Sequence, residues 1–173
     1  MRNNLDILTT ERTAGRRISE SDFAELCRMN CDPQVMATLG GVRSEEQTRD
    51  FLAKAVGHWQ RYRYGIWMFR DRDSQRFVGR AGLRHVEIDG VSEVELLYAV
   101  MAKFWGKGLA TDMARAIVKI GFERIGLASI VAFTLPTNLA SRRVMEKVGF
   151  SYQRDIVWAA MPHVLYHLKN PAR

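Results

Sequence analysis

Residues 105–110 read Trp-Gly-Lys-Gly-Leu-Ala, between a strand-like run and a segment of helical repeat. Gly106 and Gly108 allow backbone angles closed to other residues and let the main chain approach a ligand closely. The amides of such a turn, with the unpaired N–H groups at the new helix start, converge on an anion. Lys107 adds a positive charge at the rim. A phosphate or pyrophosphate is the natural guest, although a plain turn into a helix uses the same residue types. The ATP-binding P-loop is excluded, because it needs four residues between its first Gly and Gly-Lys, then Ser or Thr. The spacing of a dinucleotide fingerprint is also missing.

Other reactive residues form weaker patterns. Cys27 and Cys31 are one helical turn apart with no His or Cys beside them, so they read as buried or half-buried thiols. No disulfide and no metal site is expected. His58, His85, His163 and His167 are dispersed, with no carboxylate or nucleophile at a telling spacing, and are expected to be structural or exposed. Trp59, Trp67, Tyr62 and Tyr64 fit either a core or the wall of an acceptor cleft.

The elements that must hold these residues follow from the hydrophobic period. Ser19–Asn30 reads as a short amphipathic helix opened by Ser19 and Asp22. Residues 32–41 form a turn-rich connector. Ser44 and Gln47 make a capping box for a second helix carrying Phe51, Leu52, Ala55, Val56, Trp59 and Tyr62. Strands are expected over Gly65–Phe69, Phe77–His85 and Val91–Met101, with a hairpin signal at Asp89-Gly90. The helical repeat returns from Ala110 to Ile125 and stops at Gly126. Leu127–Leu135 reads as a buried strand. Asn138 opens a helix closed by Gly149. Ser151–Ala159 and Val164–Leu168 finish as strands around a break at Met161-Pro162.

That order describes one mixed α/β (α+β) domain spanning 1–173 with one sheet. The 173 residues are 47% hydrophobic and 26% charged, enough for a real core and unlike a disordered chain. No apolar run approaches the ~20 residues of a membrane span, and Met1–Asp6 lacks the apolar stretch of a signal peptide. A cytoplasmic protein is expected. The net charge of +7 favours anionic partners, but the basic residues are scattered.

The loop at 105–110 resembles the coenzyme A pyrophosphate loop of the GNAT N-acetyltransferase superfamily, Gln/Arg-x-x-Gly-x-Gly/Ala. Gly108 and Ala110 match, and Trp105 replaces the Gln/Arg, as in the branch of ribosomal-protein N-terminal acetyltransferases. Thr10-Glu11-Arg12, Val94-Glu95-Leu96-Leu97-Tyr98, Asn138-x-x-Ser141 and Met145-Glu146-Lys147-Val148-Gly149-Phe150 recur in the same order as in that branch. Together they cover roughly residues 7–168. Thr13-Ala14-Gly15 departs from the branch, standing where a leucine-rich strand is usual. The resemblance implies a central, mostly antiparallel, twisted sheet of six to seven strands, splayed at the cofactor site and flanked by helices.

It also implies acetyl-coenzyme A as cosubstrate, no metal, and an amine acceptor attacked directly without an acetyl-enzyme. Tyr98, Ala99 and Val100 would pair with the pantetheine arm. Trp105, Gly106, Lys107, Gly108, Leu109, Ala110 and Thr111 would hold the pyrophosphate. Asn138 would bond pantetheine, cap its helix, or both. The N–H near Leu97 would meet the thioester oxygen. On a strand Glu93, Glu95, Leu97 and Ala99 share one face, so Glu95, two residues before the pantetheine stretch, is the candidate base and Glu93 its competitor. Relatives use a Tyr to protonate the leaving thiolate where this chain has Met145. Ser141 is the substitute, as acid and as a cofactor contact, unless the thiolate leaves unassisted.

The acceptor is left open between protein N-terminal amines and small-molecule amines. The competing reading is a non-catalytic coenzyme A-binding or RNA-contacting module. No membrane and no dedicated nucleic-acid partner is implied, and the chain is a monomer or homodimer.

Overall fold

The computed structural model describes residues 5–173, so the first four residues of the Met1–Asp6 reading above lie outside it. The strands are β1 (Ile7–Thr9), β2 (Thr13–Arg17), β3 (Ile66–Asp71), β4 (Phe77–Ile88), β5 (Val91–Val100), β6 (Ser129–Thr134), β7 (Ser151–Trp158) and β8 (Met161–Lys169). The helices are α1 (Phe23–Asn30), α2 (Pro33–Met36), α3 (Glu45–Tyr62), α4 (Leu109–Ile120) and α5 (Leu139–Val148). All the strands join one sheet in the order β1-β2-β3-β4-β5-β6-β8-β7. Every neighbouring pair is antiparallel except β5 and β6. This is a single mixed α/β domain, with eight strands among the described residues rather than six to seven.

The additional strand lies at the amino-terminal edge. β2 contains Thr13-Ala14-Gly15, and its register on β3 puts Gly15 opposite Phe69. A Cβ at Gly15 would sit 2.6 Å from Phe69 Cε1, so an aromatic ring fills the place of the absent leucine side chain. Three other boundaries differ from the sequence reading. The connector holds α2, whose Asp32 side chain caps the Gln34 N–H with Pro33 following, a helix-start signal in itself. The 110–125 repeat is α4 plus one wider π turn, closed by Gly126 in the left-handed region. The last hairpin turns at Ala159-Ala160, both at positive φ, and Pro162 lies inside β8 opposite Val157.

The core follows the amphipathic stripes. Met113, Ala114 and Ile117 of α4 are fully buried in the same cluster as Leu83 of β4 and Leu96 of β5. On the other face Met29, Val35 and Met36 from α1 and α2 pack against Ala99. α4 and α5 therefore serve one face of β5, and α1 and α2 the other. No helix among the described residues is long and apolar enough to cross a membrane.

Candidate active site

β5 and β6 are registered at one pair only, Glu95 with Val131. Beyond it the two strands part, and the β5 edge from Leu97 to Val100 has no strand partner there. A cavity of about 750 Å³ opens in that gap. Parallel strands normally bond along their whole length, so the divergence leaves main-chain donors and acceptors for a ligand.

The loop at the end of β5 closes one side of the cavity. Gly106 and Gly108 sit at φ of 73° and 74°, a left-handed conformation that costs glycine little. Gly108 is the N-cap of α4, so the first N–H groups of that helix are free to meet an anion. Trp105 Nε1 donates to the Val100 carbonyl at 2.7 Å, tying the loop to the strand. Arg12 braces it from outside, with Nη1 donating to the Lys107 carbonyl and Nε donating to Asp112 at 2.9 Å. A pyrophosphate fits this cradle.

Of the sequence-assigned cofactor residues, Leu97, Tyr98, Ala99, Val100, Trp105, Gly106, Gly108, Leu109, Ala110, Thr111, Asn138 and Ser141 all line the cavity. Lys107 does not: its ammonium lies 5.4 Å from the Phe104 ring centroid. Asn138 caps α5, its Oδ1 accepting the Ser141 N–H at 3.1 Å.

Glu95 lines the same cavity. The type of turn at Asp89-Gly90, both residues at positive φ, sets the β4–β5 register and places Arg84 opposite Glu95. Glu95 is 4% exposed, and Arg84 Nε donates to its Oε2 at 2.5 Å. Burial raises the Glu95 carboxyl above its ordinary value, while Arg84, then Arg80 and His163, oppose the rise. Glu93 sits opposite Val86 and lines neither of the two cavities described in this section.

Ser141 meets the Tyr98 side chain. The two hydroxyls are 2.8 Å apart, and the Tyr98 hydroxyl is 3.1 Å from the Ser141 carbonyl, to which it can donate. Burial pushes the Tyr98 phenol up, with the Ser141 hydrogen bond opposing, so the phenol stays protonated. Met145 is buried in the core.

A second cavity of about 270 Å³ lies between α3 and β4, with Phe51, Lys54 and His58 on one wall, Arg84 and His85 on another, and Trp158 of β7. The Glu95–Arg84 pair thus gives one partner to each cavity. Trp59 and Trp67 are fully buried, their rings 5.1 Å apart, and Trp67 Nε1 donates to the Leu5 carbonyl at 2.7 Å. Tyr62 stacks on His85 with centroids 4.0 Å apart, and Tyr64 Oη lies 2.7 Å from His85 Nε2. These four support the wall without lining it.

Arg84, Arg12 and the Tyr98 hydroxyl were missed as site elements at the sequence level. Arg84 was findable by counting back from the Asp89-Gly90 turn. The Tyr98–Ser141 contact spans 43 residues and leaves no local signal. Arg12 lies in the Thr10-Glu11-Arg12 motif, whose sequence carries no sign of the contact with the loop.

Residues 13–151 match the acetyltransferase (GNAT) domain family. The Bacillus subtilis (strain 168) protein YkkB is 29% identical over 94% of this chain and 95% of its own length. A GNAT-family acetyltransferase from Bacillus anthracis, known as a crystal structure, superposes with a TM-score of 0.78 at 25% identity, over 95% of this chain and 98% of that one. The ribosomal alpha-N-protein acetyltransferase RimL, solved in complex with coenzyme A, superposes with a TM-score of 0.80 at 16% identity. It covers 96% of this chain and 99% of its own, a likeness of fold.

Proposed function

The chain belongs to the GNAT acetyltransferase family, and on that premise we propose that it moves the acetyl group of acetyl-coenzyme A directly onto a primary amine, without an acetyl-enzyme. Acetyl-coenzyme A-dependent acetyltransferase activity goes with the family; the direct route and the amine are our reading. The observation that carries it is the gap between β5 and β6, with a left-handed glycine cradle at one end and a buried carboxylate at the other.

The amine attacks only when neutral. An α-amino group near pKa 8 or a lysine near 10.4 must shed a proton, and Glu95, directly or through a water, takes it. Its raised affinity for protons makes it a better base than a solvent-exposed glutamate, and Arg84 fixes its orientation. As the C–N bond forms and the C–S bond breaks, charge on the thioester oxygen meets the open β5 edge near Leu97. The leaving thiolate then takes a proton from Ser141, whose hydroxyl the Tyr98 hydroxyl holds at 2.8 Å, and solvent returns a proton to Ser141 once coenzyme A departs. Cys27 and Cys31 line neither cavity, in keeping with direct transfer.

The test combines a thermal shift with thiol release. Acetyl-coenzyme A at 100 times its dissociation constant should stabilise the protein by about 2.7 kcal/mol, and ATP should add little. Thiol release should then depend on an added amine. A coenzyme A shift with no transfer to any amine would replace this reading with the non-catalytic module.

A further inference from the structure

Arg84 and Arg80 stand beside Glu95, and Arg43 stands beside those two arginines. Arg80 of β4 is 4% exposed, and its Nε is buried without a hydrogen-bond partner among the described residues. Its guanidinium carbon lies 4.5 Å from the Phe51 ring centroid, and that of Arg43, just ahead of α3, lies 5.4 Å from the same ring. The charges that act on Arg80 are Arg43, Arg84 and Glu95, so the one carboxylate near it is outnumbered by cations. Glu95 is already committed to Arg84 Nε. Neither Arg80 nor Arg43 is in an ion pair among the described residues. Lys54 adds a fourth positive group at the wall of the smaller cavity, and Phe51 lines that cavity too.

A buried guanidinium without a counter-ion is costly, since burial disfavours its charge and like charges beside it add to the cost. A fold retains such a group most readily where a ligand supplies the missing negative charge. Arginine offers planar, forked donors suited to a carboxylate or phosphate. Arg84 has its Nε turned to Glu95, which leaves its two terminal nitrogens to make further contacts.

We propose that this cluster binds an anionic group carried by the acceptor itself, with Arg84 and Lys54 meeting it at the wall of the smaller cavity and Arg80 and Arg43, which line neither cavity, adding their charge from beside Phe51. The inference rests on the reading of Glu95 as the base that receives the amine. Because Glu95 and Arg84 touch, an amine at the first and an anion at the second are separated by only a few bonds. The acceptor class is therefore a small amine bearing its own carboxylate or phosphate, with an apolar or aromatic body against Phe51 and Trp158. An amine without an anion leaves Arg80 uncompensated. A protein N-terminus, whose first carboxyl is an amide, does the same unless an acidic side chain follows.

The test uses matched pairs: phenylalanine against phenethylamine, O-phosphoethanolamine against ethanolamine, and, with their C-termini amidated, Asp-Ala against Ala-Ala dipeptides. Acetyl transfer is followed by thiol release. In parallel, N-acetylphenylalanine and N-acetylphenethylamine are titrated calorimetrically into the coenzyme A-bound protein. The anionic member of a small-molecule pair should have a kcat/KM at least tenfold higher, and the acetylated acid should bind at least tenfold tighter than the acetylated amine. In Arg43→Gln both preferences should shrink to about threefold or less, and added salt should erode them in the wild type.

Equal use and equal binding of charged and uncharged partners would overturn the inference while leaving the acetyltransferase reading intact. Tight binding of the acetylated acid with no transfer to any amine would keep the anion site and reject the assigned catalysis. Preference confined to the Asp-Ala dipeptide would move the site from small acceptors to peptides, against the proposal. A loss of coenzyme A affinity in Arg43→Gln equal to the loss for the acid would give the arginines to the cofactor and overturn it as well.

Discussion

The two cavities that share the Glu95–Arg84 pair are built by different means. The larger is walled by main chain: an unpaired strand edge, two left-handed glycines and the open start of α4. The smaller is walled by side chains from α3, β4 and β7. Backbone recognition tolerates changes of side chain but not of conformation, so it suits a cosubstrate common to a whole family. Side-chain recognition changes with a single substitution, so it suits an acceptor that differs from one relative to the next.

The largest effect is expected at Gly108, in the main-chain wall. A valine there must adopt φ of 74°, a conformation strongly unfavourable for a β-branched residue, and its side chain points toward Arg12 Nη2. Gly108→Val should weaken coenzyme A binding by about 10²–10³-fold, the equivalent of one or two hydrogen bonds to a charged group at about 1.5–3 kcal/mol each. Titration calorimetry on the folded variant measures it. An affinity close to the wild type would mean that the loop does not hold the pyrophosphate.

The same contrast explains what the sequence revealed. Gly106, Gly108 and the repeat after them lie within one short stretch, so period and turn chemistry were enough to place the loop, and a family pattern supplied its guest. Arg84 needed one more step, counting across a hairpin. The pairing of Arg43 and Arg80 on Phe51 brings together the residue before the α3 cap, β4 and α3, and no spacing in the chain announces it. The strand count falls one short at the amino-terminal edge for a related reason. Gly15 looks like a gap in a strand until Phe69, 54 positions later, is seen to fill it.

Glu95, the carboxylate proposed as the base, lies where the two walls meet. Glu95→Gln should lower kcat by roughly 10²-fold or more, with coenzyme A affinity kept within a few-fold because the cradle is untouched. The measurement is single-turnover thiol release beside a binding titration. Near-normal turnover in a folded variant would retire Glu95 as the base.

A smaller effect is expected at the hydroxyl pair. Tyr98→Phe removes the hydroxyl that holds Ser141 but keeps the ring, so kcat should fall about tenfold, less than the 10²–10⁴ ascribed to a direct acid. Ser141→Ala should fall at least as far, and the double variant no further than the lower single, since the two act in series. Additive losses would show that each hydroxyl works separately.

The smallest effect concerns stability on the side-chain-built wall. His58 Nδ1 lies 2.9 Å from the Tyr64 carbonyl, and its Nε2 accepts the His85 backbone N–H at 3.1 Å. That arrangement holds the neutral ring with its proton on Nδ1. A second proton on Nε2 would face a donor. Burial lowers the His58 pKa below its ordinary 6.5, with the Tyr64 hydrogen bond opposing and the His85 and Arg84 charges assisting; His85 is lowered too, by burial and Arg61. Below 6.5 the unfolded chain therefore takes up protons that the folded protein refuses. The stabilisation is fully present above about pH 6.5 and is lost as pH falls through the folded value. Melting temperature should drop between pH 7 and pH 5, by roughly 2–4 °C per kcal/mol lost. In His58→Gln, which has no proton to gain, that slope should be visibly shallower while the pH 7 value is lower. Parallel slopes in the two proteins would place the acid sensitivity elsewhere and leave the wall with no part in it.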